Sequence, residues 1–202
     1  VIPDFKPAMV MAVGGVNSTF AAAFTAHKSG CKVAHIESGL RSFDRGMPEE
    51  INRLLTDEIT DYFFVTEQSG LDNLAKEGKN KDQIFFVGNT MIDTLVAFEH
   101  KIRECKILED YKLKSQGYVL MTMHRPATVD NQEGLVKLIE IIEYITRNFE
   151  LVFPIHPRTL GRIEHFGLME RVRSNKRLIL TEPLDYFAFQ RLTADCKFVI
   201  TD

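Results

Sequence analysis

Eight short apolar runs, each closed by glycine or polar residues and followed by helical spacing, constrain this chain more than anything else in it. They cover residues 10–13, 32–36, 62–65, 84–87, 118–123, 151–153, 178–180 and 198–201. Neighbouring parallel strands need a crossover of a dozen or more residues, usually a helix, so this alternation specifies an α/β fold with parallel sheets. The runs form two groups of four. Between them lies a charged segment, 103–116, with little apolar periodicity beyond Ile107, Leu108, Tyr111 and Leu113. The expectation is two Rossmann-like, doubly wound parallel-sheet domains, residues 1–102 and 117–202, joined by 103–116. The chain opens on an irregular segment and stops on a strand with no covering helix. It is therefore expected to be a fragment, cut in both domains.

The helix signals support this division. Pro48 suits a first helical position, and Glu49 and Glu50 suit the first turn beside the positive end of the helix dipole. Asn17, Ser18 and Thr19 stand as caps before a helix reaching Ser29. Thr66 is a cap for 67–77, with Gly78 as the terminating residue, and Asp185 is a cap for 186–194. One helix is expected from Thr90 towards Cys105. Leu135, Leu138, Ile139, Ile142 and Ile145 recur on one face of another, ending near Phe149.

The totals exclude several classes. Among 202 residues, 45% are hydrophobic and 26% charged, with a net charge of −3. That balance gives no electrostatic case for nucleic acid or an anionic membrane. No stretch approaches the ~20 apolar residues of a membrane span. Cys31, Cys105 and Cys196 are far apart and form no CxxC, which points to reduced, structural thiols. His156 and His165 lack metal-ligand spacing. A cytoplasmic protein is expected.

In open α/β sheets, ligands sit outside the carboxyl ends of the strands. Candidate chemistry is therefore sought where each run stops. His124 and Arg125 follow the run at 118–123, and Asp130 to Glu133 then open a helix. A proton-transfer group, a fixed positive charge and a helix N-terminus meet there, although both residues also read as ordinary loop residues. Glu37 follows the run at 32–36, and a surface ion pair with Arg41 is its plain alternative. Dipole complementarity alone explains Glu49 and Glu50. Gly14-Gly15 reads as a tight turn in preference to a phosphate cradle.

Several stretches together carry a resemblance. They are VGGVNSTFAAA (13–23), HIESGLR (35–41), PEEINR (48–53), GNTMIDTL (88–95), TMHRPATVDN (122–131), FPIHPRT (153–159) and PLDYFAF (183–189). In this order and spacing the chain resembles the non-hydrolysing UDP-N-acetylglucosamine 2-epimerases. The resemblance implies two Rossmann-like domains of the GT-B kind with the active site in the cleft between them. It implies reversible C2 epimerisation of UDP-GlcNAc to UDP-ManNAc through elimination and re-addition of UDP, serving cell-surface polysaccharide precursors. No redox cofactor or metal is implied, and the full-length protein is expected to be a homodimer.

By the same resemblance, Glu37 and Glu49 match the catalytic carboxylates and His124 the catalytic histidine. Arg125 and His156 fall around the nucleotide-sugar sites, including an allosteric one in bacterial members. Phe189 falls where the uracil base packs. Arg41, Arg53 and Asn17 are read as structural. Gly15 departs from the family, which has an aspartate there that is counted among its catalytic residues. The family's basic N-terminal residues would precede Val1, and its Ser-Gly-Gly diphosphate loop would follow Asp202, so this polypeptide alone is not expected to turn over. Two rivals stay open. One is a glycosyltransferase of the same fold, and the other is a catalytically inactive nucleotide-sugar-binding relative.

Overall fold

The structure, a computed structural model, describes residues 2–202 and divides into two compact units, residues 1–96 and 97–202. The first contains α1 (Ile2–Phe5), β1 (Met9–Val13), α2 (Asn17–Lys28), β2 (Lys32–Ile36), α3 (Pro48–Glu58), β3 (Tyr62–Val65), α4 (Gln68–Lys76), β4 (Ile84–Phe86) and most of α5 (Thr90–Ala97). The second contains α6 (Glu99–Glu104), α7 (Ile107–Asp110), β5 (Tyr118–Thr122), α8 (Pro126–Val129), α9 (Gln132–Ile145) and β6 (Glu150–Pro154). It continues with α10 (Pro157–His165), α11 (Met169–Arg173), β7 (Leu178–Thr181), α12 (Tyr186–Asp195) and β8 (Val199–Thr201). Each unit holds one parallel four-stranded sheet flanked by helices.

The first sheet runs β1-β2-β3-β4, in one direction. Right-handed crossovers then bring the connecting helices to a single face. That face carries Ala12 and Val33, packed on Ala23 and Ala26 of α2, and Phe63 and Val65, packed on Leu74 of α4. The other face carries a row in register, Val13, Ile36, Phe64 and Phe85. Phe64 and Phe85 stack there with ring centroids 5.5 Å apart.

The second sheet runs β7-β6-β5-β8, so its order reverses beside β5. Strand alternation splits its side chains cleanly. Val119, Met121, Leu151 and Phe153 meet Leu135, Leu138, Ile139 and Ile142 of α9 and Ile163 of α10. Tyr118, Leu120 and Val152 meet Ala188 and Leu192 of α12, with Ile107 and Leu113. The segment 103–116 thus covers one face of this sheet through its few apolar residues.

Local differences from the sequence expectation have local causes. The expected helix from Thr90 to Cys105 is two helices, interrupted at Phe98. The cap of α2 is Val16, without a side-chain hydrogen bond, and the Thr19 hydroxyl instead donates to the Val13 carbonyl at 2.7 Å. Glu67 replaces Thr66 as the cap of α4. Asn131 and Asp185 cap α9 and α12 by accepting from the amides of Gly134 and Ala188. The α9 helix ends at Ile145, where the Thr146 hydroxyl bonds back to the Ile142 carbonyl.

Candidate active site

Glu37 and Glu49 come from different elements. Glu37 leaves the carboxyl end of β2, and Glu49 lies in the first turn of α3, where Pro48 occupies the first helical position. Arg53, one helical turn beyond Glu49, brings them together. Its Nη2 donates to Glu37 Oε2 at 3.2 Å and to Glu49 Oε1 at 3.1 Å, while Nη1 donates to the Glu37 carbonyl at 2.7 Å. Glu37 sits at φ +66°, a backbone conformation that costs a non-glycine residue about 1–3 kcal/mol and that clusters at functional sites. Arg53, read from the sequence as structural, is therefore the link between the two predicted carboxylates. Arg41 is not the partner of Glu37.

Gly15 explains how Arg53 reaches both. A Cβ built at Gly15 would lie 2.6 Å from Glu49 Cγ and 2.8 Å from Arg53 Cγ and Nε. The space a side chain would fill is occupied by the Glu49–Arg53 pair. Asn52 fastens the same turn, donating to the Gly15 carbonyl at 3.0 Å and to Asn17 Oδ1 at 2.9 Å. Gly15, Asn17, Met47, Glu49 and Asn52 line an open groove of about 660 Å³. That volume lies within the range of small-molecule sites.

Beneath the carboxylates runs a buried polar network. His35 Nδ1 lies 2.6 Å from Asp57 Oδ1, and its Nε2 lies 2.9 Å from the Gly14 carbonyl oxygen. Asp57 Oδ2 accepts from the Gly39 amide at 3.0 Å and from Arg41 Nη2 at 2.7 Å. Arg41 in turn makes a bidentate pair with Glu77. Burial opposes the charge on Asp57, but the bonds and charges of His35 and Arg41 outweigh it and hold the carboxyl below its ordinary range. Burial likewise opposes the Arg41 charge, and Glu77 and Asp57 overcome it, raising its pKa. Gly39, at φ +77°, lies so close to the Gly70 carbonyl at the start of α4 that a Cβ there would collide with it. Glu50 is buried and accepts from the Ser42 amide and hydroxyl, closing the loop between β2 and α3.

In the second unit, His124 and Arg125 follow β5 at the point where the strand order reverses, the expected crevice of an open α/β sheet. Both side chains are exposed. Their backbone amides are held by Asp202 after β8, at 3.1 Å and 2.8 Å. Burial opposes the Asp202 charge, but these two amides, the Thr128 hydroxyl and His124 lower its pKa. The His124 ring nitrogen Nδ1 is 3.4 Å from Asp202 Oδ1. His156 caps α10, its Nδ1 accepting from the Arg158 amide, and Arg158 pairs with Asp130 at 2.6 Å. His124, Asp130, His156 and Arg158 share the lining of a small cleft of about 220 Å³. Phe189 does not join them. It packs, half-buried, against the Leu120 and Leu192 cluster.

Sequence reasoning missed Asp57, Arg158 and Asp202 as supports of these groups. Asp57 sits one helical turn beyond Arg53 on the polar face of α3, and it is this face, with Glu50 and Thr56, that is buried while Ile51 and Leu55 are exposed. Asp202 carried a signal, because it ends the run 198–201 at the carboxyl edge where ligand chemistry is sought. Among the described residues, no group of three or more His, Cys, Asp or Glu side chains is placed to hold a metal, and no helix is long and apolar enough to cross a membrane.

Comparison with known proteins bears on this geometry directly. The model of the family described as UDP-N-acetylglucosamine 2-epimerase matches residues 1–202. The chain is 39% identical, over 98% of its length, to the UDP-N-acetylglucosamine 2-epimerase of Methanococcus maripaludis, of which it covers 55%. It is 37% identical, over its whole length, to 55% of the UDP-2,3-diacetamido-2,3-dideoxy-D-glucuronate 2-epimerase of Pseudomonas aeruginosa. The crystal structure of Methanocaldococcus jannaschii UDP-GlcNAc 2-epimerase in complex with UDP-GlcNAc and UDP matches all of the chain with 56% of its own, at a TM-score of 0.86 and 38% identity. The chain spans about half the length of the relatives it matches, and it belongs to the UDP-N-acetylglucosamine 2-epimerase family.

Proposed function

We propose that the protein to which this chain belongs interconverts UDP-GlcNAc and UDP-ManNAc by inversion at C2. The supporting observation is the convergence of Glu37 and Glu49 on one guanidinium, at the carboxyl edge of a parallel sheet. Inversion needs a base on one face of the sugar and an acid on the other, and two carboxylates from different elements can serve the two faces. One removes the C2 proton while the C1–O bond breaks with its electrons going to UDP, which leaves a 2-acetamidoglucal. Re-addition of UDP at C1 and delivery of a proton to the opposite face of C2 complete the exchange. Arg53 orients both carboxylates, because one guanidinium donates to the two of them. His124 has the role of stabilising or protonating the departing diphosphate, with Arg125 and His156 binding around the nucleotide sugar and Phe189 packing the base.

The test is incubation of the protein, with Gly15 kept, with UDP-GlcNAc in deuterated water, followed at C2 by proton NMR. Deuterium at C2 with UDP-ManNAc appearing supports the epimerase, and Glu37→Gln is then expected to slow exchange by about 10²–10⁴-fold. UDP binding without exchange makes the protein an inactive relative. Release of UDP only when a sugar acceptor is present makes it a glycosyltransferase.

A further inference from the structure

His35 is a fully buried titratable group for which the two-carboxylate reading has no task. Both of its ring nitrogens face acceptors, the Asp57 carboxylate at 2.6 Å and the Gly14 carbonyl at 2.9 Å. A neutral imidazole has one N–H and would leave one of these contacts as lone pair against lone pair. Moving a proton onto Asp57 instead would weaken an acceptor already engaged by Arg41 and the Gly39 amide. We infer that His35 carries both ring protons and acts as a positioning residue, an imidazolium that clamps the Gly14–Gly15 turn to α3.

The charged groups around it are consistent with that state. Asp57 faces it from α3, and through Asp57 come Arg41 from the loop after β2 and Glu77 from the end of α4. Two cations and two anions balance. Its neighbours in register are Ala12 of β1 and Phe63 of β3, which carry no charge. Glu37, two residues along, turns to Arg53. The Gly14 amide also donates to the Ile36 carbonyl at 3.1 Å, so the turn is pinned on both sides of Gly14. Gly15 follows, and the Glu49–Arg53 pair lies against it. Loss of one His35 proton would release the Gly14 carbonyl and with it the surface on which that pair rests.

The inference takes from the proposed function only the assignment of Glu37 and Glu49 as the reacting carboxylates. Its test is ¹⁵N NMR of the protein labelled in its histidines, at the pH of the C2 exchange assay. His35, assigned through its neighbours in register Ala12 and Phe63, is expected to show two protonated ring nitrogens there, where a neutral imidazole would show one. On further raising the pH, the Gly14 and Gly15 amides are expected to shift along the same curve as the His35 ring, and the C2 exchange rate to fall along it. Asp57→Asn moves all three curves to lower pH, because the carboxylate's attraction for the proton is gone. A bare ring nitrogen on His35 at the starting pH overturns the inference, as does a Gly15 amide indifferent to the titration. Absence of C2 exchange with His35 doubly protonated and the amides following it would sink the epimerase reading and leave the clamp standing.

Discussion

The two units use four parallel strands each, yet stabilise their functional edges by opposite means. In the first, the strand order runs one way, and the groups beneath the carboxyl edge are ionisable: the side chains of His35, Asp57 and Arg41, all buried. In the second, the order reverses, both faces carry apolar cores, and the polar groups stay at the rim. The difference shows two ways to fix a loop. A buried ion network sets direction through hydrogen bonds, at a desolvation cost that only complete pairing offsets. An apolar sandwich holds the strands and leaves the loop to one carboxylate, here Asp202, which gathers two amides.

The sharpest way to break the comparison is Asp57→Ala. It strands the Arg41 charge and the His35 ring in the interior without their carboxylate, and a loss of about 3–5 kcal/mol is expected. Hydrogen exchange should report it first across residues 2–96. An equal loss of protection in residues 97–202 would remove the contrast. Leu138→Ala is the matching change in the second unit, where Leu138 is fully buried between α9 and the sheet. About 3 kcal/mol is expected, seen first in the amides of β5 and β6.

Acid gives a milder version of the first experiment. The folded pKa of Asp57 lies below the unfolded value near 3.9. Its stabilisation is therefore present above about pH 4 and is lost as the pH falls through the lower folded value. The first unit should lose protection in that window before the Leu138 cluster does. The smallest effect expected is that of Asp185→Ala, which removes the cap on the Ala188 amide and should cost about 1 kcal/mol by denaturant titration.

The alternation of apolar runs was enough to place all eight strands, and the signature is densest where a strand is buried on both faces, as at Tyr118 to Met121. It was not enough for the joints. The break at Phe98 and the short helices α7, α8 and α11 depend on tertiary packing rather than on periodicity. Glu37, Glu49 and His124 were legible as candidates because each stands at a strand end or a helix start and within a recognisable stretch. Arg53 was legible as a residue but not as a bridge, since nothing in PEEINR says that its guanidinium reaches past Glu49 to a carboxylate on β2. Asp57 and Asp202 gain their meaning only from partners 22 and 78 residues away, His35 and His124.

The contact between Gly39 and Gly70 has a consequence for how this chain tolerates change. The Gly39 Cβ position is blocked by a carbonyl of α4, and the Gly70 Cβ position by Val65 and the Ser38 carbonyl. Backbone obstructs Gly39, which also holds a positive φ, so no trimmed side chain can relieve it, whereas the sharpest obstruction at Gly70 is the Val65 side chain at 2.7 Å. In a saturation library scored for folding, the Gly39 column should return glycine alone without a suppressor, whereas a small residue at Gly70 should be rescued by trimming Val65 to alanine.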